Sequence, residues 1–223
     1  MALLSAQDQQ VVRTHFAGLR HDVRLLFFTQ TIGEPETAAI ARQVLDEIAP
    51  LHERISLEEV NFVLEKDRAA EYGITHIPAI ALLRNGTDTR MRFFGAPAGY
   101  EFMSLVEAVA LAGGDDSGLN DASKTLIAEH VSTPLDIKVF VTPTCPHCPR
   151  AVTLAHRMAV ESPHIRATCV EATEFMDLAR EYSVTGVPKT VVNGTVEILG
   201  AVPEDAFVRA VLRQPGGQTT DAP

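Results

Sequence analysis

The chain has 223 residues, of which 46% are hydrophobic and 22% charged, which is ordinary for a globular protein able to bury two modest cores. Its net charge of −10, with no basic cluster, argues against nucleic acid or an anionic membrane as a partner. The sequence has no apolar run near the roughly 20 residues of a membrane span, no evident signal peptide, and too few cysteines for a secreted disulfide framework, so we expect a cytoplasmic protein.

The first half of the chain is predicted to form helices that alternate with short apolar strands. Ser5 is a suitable N-cap for an opening helix, and Asn85-Gly86 is a hairpin signal. The predicted elements are a helix over residues 5–17, a strand over 23–29, a helix over 35–51, a strand over 55–64, a short helix over 67–72, strands over 79–83 and 90–94, and a helix over 100–112.

The second half is predicted to repeat this order after a linker of sequence GGDDSG at residues 113–118. Its predicted elements are a helix over 121–130, a strand over 137–141, a helix over 145–160, a strand over 165–170, a short helix ending at Tyr182, a hairpin, and a helix over 204–212. Residues 214–223 are expected to form a frayed tail. We therefore predict two domains, 1–114 and 115–223.

An internal repeat supports this division. Residues 71–78, EYGITHIP, parallel residues 181–188, EYSVTGVP, at an offset of 110, and each copy continues into a strand and an Asn-Gly turn. Aligning the strands before the motif places Ile32 opposite Cys145 and Pro35 opposite Cys148. The first copy therefore has the turn but no sulfur, and only the second copy is expected to be redox-competent.

The sequence Cys145-Pro146-His147-Cys148 lies between a predicted strand and a helical pattern, and Val187-Pro188 follows forty residues later. Two cysteines three residues apart across such a turn can close a small disulfide ring. The N–H groups and dipole of a helix start favour the thiolate of the first cysteine. A proline beside that sulfur, very often in cis, withholds a backbone N–H and shapes a groove for a partner chain. This combination predicts thiol–disulfide exchange.

The chain resembles the thioredoxin superfamily in tandem: two thioredoxin-like α/β domains, each with a central mixed sheet flanked by helices. It is most similar to the glutaredoxin-like protein disulfide oxidoreductases, through residues 139–149, VFVTPTCPHCP, and 95–102, GAPAGYEF. The middle segment also resembles the N-terminal module of alkyl hydroperoxide reductase flavoproteins. Many members of the first family have a CxxC in both units. The loss of the first here favours simple oxidoreduction over disulfide isomerisation.

This resemblance, with the position of each residue, implies the roles of the motif. Cys145 is the exposed attacking thiol, and the less exposed Cys148 resolves the mixed disulfide. Pro146 fixes φ at the first helical positions, and His147 adds a titratable ring that favours the reduced pair. Val187 and Pro188 are the expected substrate-binding residues.

A proton acceptor for Cys148 is also expected. Classical thioredoxins bury an Asp six residues before the first cysteine, where this chain has Val139, and the charged candidate on the same strand is Lys138. In the related families a Glu of the first unit lies beside the second unit's disulfide, and the matching residue is Glu101. We predict that Glu101 is buried between the units with a raised pKa and relays protons; the alternative is a Glu favoured by the dipole of its helix.

Three functions remain open, and none needs a cofactor on the chain. The first is a dithiol–disulfide oxidoreductase that acts on protein disulfides with electrons from a thioredoxin-reductase-like flavoenzyme. The second is an electron carrier to a peroxiredoxin, and the third is a peptide-binding or chaperone-like module with incidental thiols. A metal site is disfavoured because four-ligand sites need a second close pair, and Cys169, inside an apolar strand, reads as a core residue.

Overall fold

In the computed structural model, which describes residues 3–31, 33 and 35–213, the predicted alternation of helices and strands is present. The helices are α1 (Ala6–Phe16), α2 (Glu36–Ile48), α3 (Lys66–Glu71), α4 (Glu101–Gly113), α5 (Asp121–His130), α6 (Cys148–Glu161), α7 (Met176–Glu181) and α8 (Glu204–Leu212). The strands are β1 (Val23–Thr29), β2 (Ile55–Asn61), β3 (Ala79–Arg84), β4 (Thr87–Phe94), β5 (Leu135–Val141), β6 (Ile165–Glu171), β7 (Lys189–Val192) and β8 (Val196–Leu199).

Local sequence signals account for several of these bounds. The Ser5 hydroxyl accepts the Asp8 N–H and the Asp8 carboxylate accepts the Ser5 N–H, so a capping box begins α1. Strand β2 ends at Asn61, short of the predicted residue 64, because its side-chain oxygen accepts the N–H groups of Val63 and Leu64 and turns the chain. The predicted frayed tail, residues 214–223, and Ile32 lie outside the described residues.

The two predicted sheets are one sheet of eight strands, in the order β2-β1-β3-β4-β6-β5-β7-β8. The first four of these strands come from the first half of the chain and the last four from the second. They join where β4 runs parallel to β6, from Met91 opposite Ala167 to Phe94 opposite Val170. Each half thereby covers an edge strand of the other, which satisfies backbone groups that would otherwise face solvent.

Helices cover both faces of this sheet, and strand alternation decides which side chains meet which layer. In β5, Ile137 and Val139 belong to the core that includes residues of α4 and α6, whereas Phe140 belongs to the core beneath α3 and α7. Lys138 therefore faces the second layer. Among the described residues, the helices are all too short or too polar to cross a membrane.

Side chains also connect the two halves away from the strand pairing. The Arg90 guanidinium donates hydrogen bonds to the carbonyls of Ile165 at 3.2 Å and Ala159 at 2.7 Å. On the other face, the His76 ring lies edge-on to Phe175, with 5.3 Å between ring centroids, and its Nε2 is 3.7 Å from the Asp177 carboxylate. The loop before the first proline, Pro78, is thus packed against α7 of the second half.

Candidate functional site

Cys145 and Cys148 are joined by a disulfide, with their Cα atoms 5.5 Å apart, at the carboxyl end of β5. The Cys145 N–H donates to the Thr142 carbonyl at 3.1 Å, and the Cys148 N–H donates to the Cys145 carbonyl at 3.4 Å. The two cysteines are therefore held by a tight turn of the backbone.

The helix after the disulfide begins at Cys148, and the prediction that it begins at Cys145 is wrong. The Cys145 carbonyl would accept an N–H from residue 149 in a helix, but residue 149 is proline and has none. Pro146 consequently lies in the turn before α6, and Pro149 is the proline of its first turn. Cys145 sits before the helix start with Pro146 and His147 exposed beside it.

The two sulfurs differ in exposure in the predicted order. Cys148 is fully buried, whereas 8% of Cys145 is exposed. Cys145 is therefore less exposed than predicted, because it packs into the same core as Cys148 and only a small part of its surface is accessible. The neighbouring residues Thr144, Pro146 and His147 are exposed at the surface.

The peptide bond between Val187 and Pro188 is cis, as expected, and so is the bond between Ile77 and Pro78 in the first half. Strand β7 runs antiparallel to β5 with Lys189 opposite Phe140. Continuing this register by one residue places Pro188 beside Val141, where β5 ends and the chain turns toward Cys145. Pro188 is buried, and Val187 packs against the core that contains both cysteines.

Glu101 is buried at the contact between the halves, as predicted, with 2% of its surface exposed. It begins α4, which packs on α6, the helix that Cys148 begins. Burial raises the pKa of the carboxyl from 4.5 to about 7; the Ser104 hydroxyl and the Cys169 thiol moderate this rise, and the charge of Glu171 adds to it. The carboxyl is therefore poised to exchange a proton near neutral pH.

Besides Ser104, Glu101 has Cys169 as a polar neighbour, a residue that the sequence predicts to be a core side chain without a role. Its Sγ donates to Glu101 Oε2 at 3.6 Å, while Oε1 has no hydrogen-bond partner. Burial, followed by the neighbouring Glu101 charge, raises the pKa of the Cys169 thiol well above its usual value. Cys169 lies opposite Val139 across β5 and β6. The Glu101 carboxyl therefore reaches the sheet next to the position where thioredoxins carry their buried acid.

Lys138, the other charged candidate, does not belong to this site. Its Nζ pairs with the Asp136 carboxylate and lies 5.8 Å from the centre of the Tyr182 ring, on the face of the sheet opposite Val139. The alternation of β5 could have excluded Lys138 from the sequence alone, because adjacent residues of a strand point to opposite faces.

A contact that the sequence did not predict ties the first half to the redox loop. The Tyr100 N–H donates to the Pro143 carbonyl at 2.9 Å, two residues before Cys145. Gly99, with φ of +59°, permits this approach, because a Cβ there would lie 2.2 Å from the Pro143 oxygen. The segment that holds Glu101 therefore also fixes the loop that leads to the disulfide.

The described residues contain no group of three or more His, Cys, Asp or Glu side chains arranged to hold a metal ion. The groups that the site does hold are a vicinal pair of cysteines, a buried carboxyl and a cis-proline loop, which together support thiol–disulfide exchange.

Comparisons with known proteins agree with this geometry. A thioredoxin-domain family model matches residues 135–213. The alkyl hydroperoxide reductase AhpF of Escherichia coli is 26% identical over 166 residues, which are 74% of this chain and 29% of the relative. The chain thus spans less than a third of the length of the curated relatives that it matches.

Two solved structures match almost the whole chain. A mutant of the alkylhydroperoxide reductase AhpF from Enterococcus faecalis is 30% identical with a TM-score of 0.86, covering 93% of this chain and 99% of that one. A protein disulfide oxidoreductase from Aeropyrum pernix is 29% identical with a TM-score of 0.84, covering 93% and 92%. The chain therefore belongs to the same family as this AhpF region, with a tandem thioredoxin fold and a CxxC disulfide, and it is similar in structure to the protein disulfide oxidoreductase.

Proposed function

We propose that this chain exchanges disulfides with protein substrates through the Cys145–Cys148 pair, with Cys145 as the attacking sulfur. The observation that carries the proposal is the position of this disulfide, at the carboxyl end of β5 beside the cis-Pro188 loop. Of the two sulfur-bearing residues only Cys145 has an accessible edge. An incoming sulfur therefore meets Cys145 first.

The exchange moves two electrons without a cofactor. In the reduced chain the Cys145 thiolate attacks one sulfur of a substrate disulfide, forms a mixed disulfide and expels the other substrate sulfur as thiolate. The Cys148 thiol then loses its proton and attacks Cys145 Sγ, which releases the second substrate thiolate and restores the Cys145–Cys148 disulfide. The substrate is reduced and the chain is oxidised; the reverse sequence oxidises a dithiol.

Glu101 is the group that we assign to the proton of Cys148. Its pKa of about 7 lets it accept this proton in one half-cycle and return it in the other near neutral pH. The unpartnered Oε1 supports this role, since a buried carboxylate oxygen without a hydrogen bond is a ready acceptor. His147, exposed at the rim of the disulfide, is assigned the lesser part of favouring the Cys145 thiolate.

The groove for the substrate backbone is proposed at Val187 and Pro188. Pro188 offers no N–H at the end of β5, so it leaves Cys145 free of a competing backbone donor, and the exposed Thr185 and Gly186 before it leave room for an extended chain. Pro146 is exposed and provides a rigid surface on the opposite side of this groove.

The first unit, proposed as residues 1–114, has a supporting role for the second unit, residues 115–223. It supplies Glu101 and the Tyr100 N–H that holds the Pro143 carbonyl. Its own cis-Pro78 loop is packed against α7 through His76. The position equivalent to the substrate groove is therefore partly covered in the unit that lost its cysteines.

A flavoenzyme related to thioredoxin reductase is the proposed source of electrons, and the proposed setting is the cytoplasm, where such a pair is kept cycling. Electron transfer to a peroxiredoxin is the second candidate. The name of the matched relatives, alkyl hydroperoxide reductase, favours it, although this chain spans only part of their length.

Two experiments test these proposals. Dithiothreitol-dependent insulin reduction should be rapid with the unmodified chain and fall to background with Cys145→Ser; Cys169→Ser is the matched control and should retain activity. Activity that survives Cys145→Ser would instead favour a peptide-binding module with incidental thiols. Mixed disulfides trapped on Cys148→Ser in cell extract then separate the first two candidates: many partners indicate a general oxidoreductase, and one peroxiredoxin indicates a dedicated carrier.

A further inference from the structure

A cavity of about 550 Å³ opens on the sheet face opposite the disulfide layer. Both halves of the chain line it: Gly73 and Thr75 follow α3 on one side, and Lys138, Arg166 and Thr168 come from β5 and β6 on the other. Its residues lie near the start of these strands, whereas Cys145 follows the end of β5. Five residues of strand, roughly 16 Å, separate Asp136 from Val141, so the cavity is separate from the redox site.

The charge of this cavity is opposite to that of the chain. Two arginines and one lysine line it against one aspartate, a balance of +2 in a chain with a net charge of −10. Lys138 is paired with Asp136. Arg90 is held by the backbone carbonyls of Asp88, Ala159 and Ile165, and burial lowers its pKa, which the charge of Asp88 partly offsets. Arg90 thus already has a counter-charge in Asp88.

Arg166 is the cation with the least compensation. Within the part of the chain that the structure describes, no carboxylate lies within ion-pair distance of it, and its buried Nε has no hydrogen-bond partner. A buried donor left in this state is destabilising until a ligand accepts its hydrogen. Gly73, with φ of +66°, leaves the guanidinium the space that a Cβ would fill, 2.5 Å from Arg166 Nη1.

We propose that this cavity is a binding site for a small phosphoryl-bearing ligand, whose dianionic group binds at the guanidinium group of Arg166, with Lys138 and Arg90 in the walls of the same cavity. Planar guanidinium groups bind phosphoryl oxygens in pairs, and the balance of +2 matches the charge of a phosphate dianion. The volume lies in the range of small-molecule sites. Because the walls come from both halves, the site exists only when β4 and β6 are joined.

The proposal is tested by titrating inorganic phosphate into the full-length oxidised chain by calorimetry, with ionic strength held by sodium chloride. We expect saturable binding that Arg166→Gln weakens about tenfold or more, as expected for loss of a charged hydrogen-bond partner. Arg209→Gln, which removes an exposed charge on α8, should bind phosphate as the unmodified chain does. Succinate, a dianion without a phosphoryl group, should bind more weakly.

Equal phosphate affinity of Arg166→Gln and the unmodified chain, or the absence of saturable binding, would overturn the proposal. Succinate binding as tight as phosphate would overturn the phosphoryl assignment. Insulin reduction should be unchanged in both variants, which shows that they are folded. Arg166→Lys, which keeps the charge but loses the planar donor pair, provides a second variant if Arg166→Gln does not fold, and it should also weaken binding. The outcome is independent of the redox proposal, since Arg166 takes no part in it.

Discussion

Replacement of Glu101 by glutamine tests the buried carboxyl through the pH dependence of stability. Burial raises its pKa from 4.5 to about 7, so the folded state holds this proton more tightly than the unfolded chain does. The contribution to stability is complete below pH 4.5 and is lost as the pH rises through 7. With about 1.4 kcal/mol per pKa unit, the loss by pH 8 is about 3 kcal/mol.

Glutamine is neutral throughout this pH range, so Glu101→Gln does not lose stability through this group. The free energy of unfolding of Glu101→Gln, relative to the unmodified chain, should therefore increase by about 3 kcal/mol between pH 4.5 and pH 8. Other titrating groups are common to both proteins and cancel in the difference. Urea unfolding of the oxidised proteins, followed by circular dichroism at several pH values, measures it.

Glu129→Gln is the matched control, because Glu129 is an exposed glutamate on α5. Its pH profile should run parallel to that of the unmodified chain. If the Glu101→Gln profile is parallel as well, the pKa of Glu101 is not raised in the folded state, and its carboxylate is too weak a base to take the Cys148 proton as we propose.

Three further substitutions or modifications test the surroundings of the site. Gly99→Ala should lower stability by about 2 kcal/mol or more and slow insulin reduction, because it combines a positive φ with a clash at Pro143; Gly86→Ala, with φ of +82° but open space around it, should show only the backbone cost and unchanged kinetics. His156 is fully buried, which lowers its pKa from 6.5 to about 4, so its contribution to stability is present above pH 6.5 and lost as the pH falls through 4. His156→Met should therefore gain about 3 kcal/mol in relative stability between pH 7 and pH 3.5, measured by urea unfolding; an unchanged difference would show that His156 titrates normally. Cys169 should resist iodoacetamide in the folded, reduced chain and react only on unfolding, because burial raises the pKa of its thiol; modification by mass spectrometry at the rate of Cys145 would contradict its burial beside Glu101.

The local elements were predictable because their signals are local. The Asn85-Gly86 turn, with φ of +49° and +82°, and the N-cap at Ser5 follow from the residues themselves. The bounds of β1, α5 and α8 are those predicted from apolar periodicity and turn residues. The helix start at Cys148 could also have been found, since Pro149 has no N–H for the Cys145 carbonyl.

Contacts between distant residues were predictable only in part. The burial of Glu101 and its raised pKa were anticipated through resemblance to a family, whereas the joining of β4 to β6 was not anticipated, because edge pairing leaves no period in the sequence. The Tyr100–Pro143 hydrogen bond and the unpartnered Nε of Arg166 could not be predicted for the same reason. Both depend on how one half of the chain packs against the other.

The claim on which the account depends is that Cys145 is the reactive sulfur. Iodoacetamide alkylation of the fully reduced chain, located by mass spectrometry between about pH 5 and 9, tests it most directly. We predict that Cys145 is modified first, with half-maximal rate below the roughly 8.5 of free cysteine. Modification of Cys148 or Cys169 at the same rate, or a Cys145 profile identical to that of free cysteine, would contradict the account.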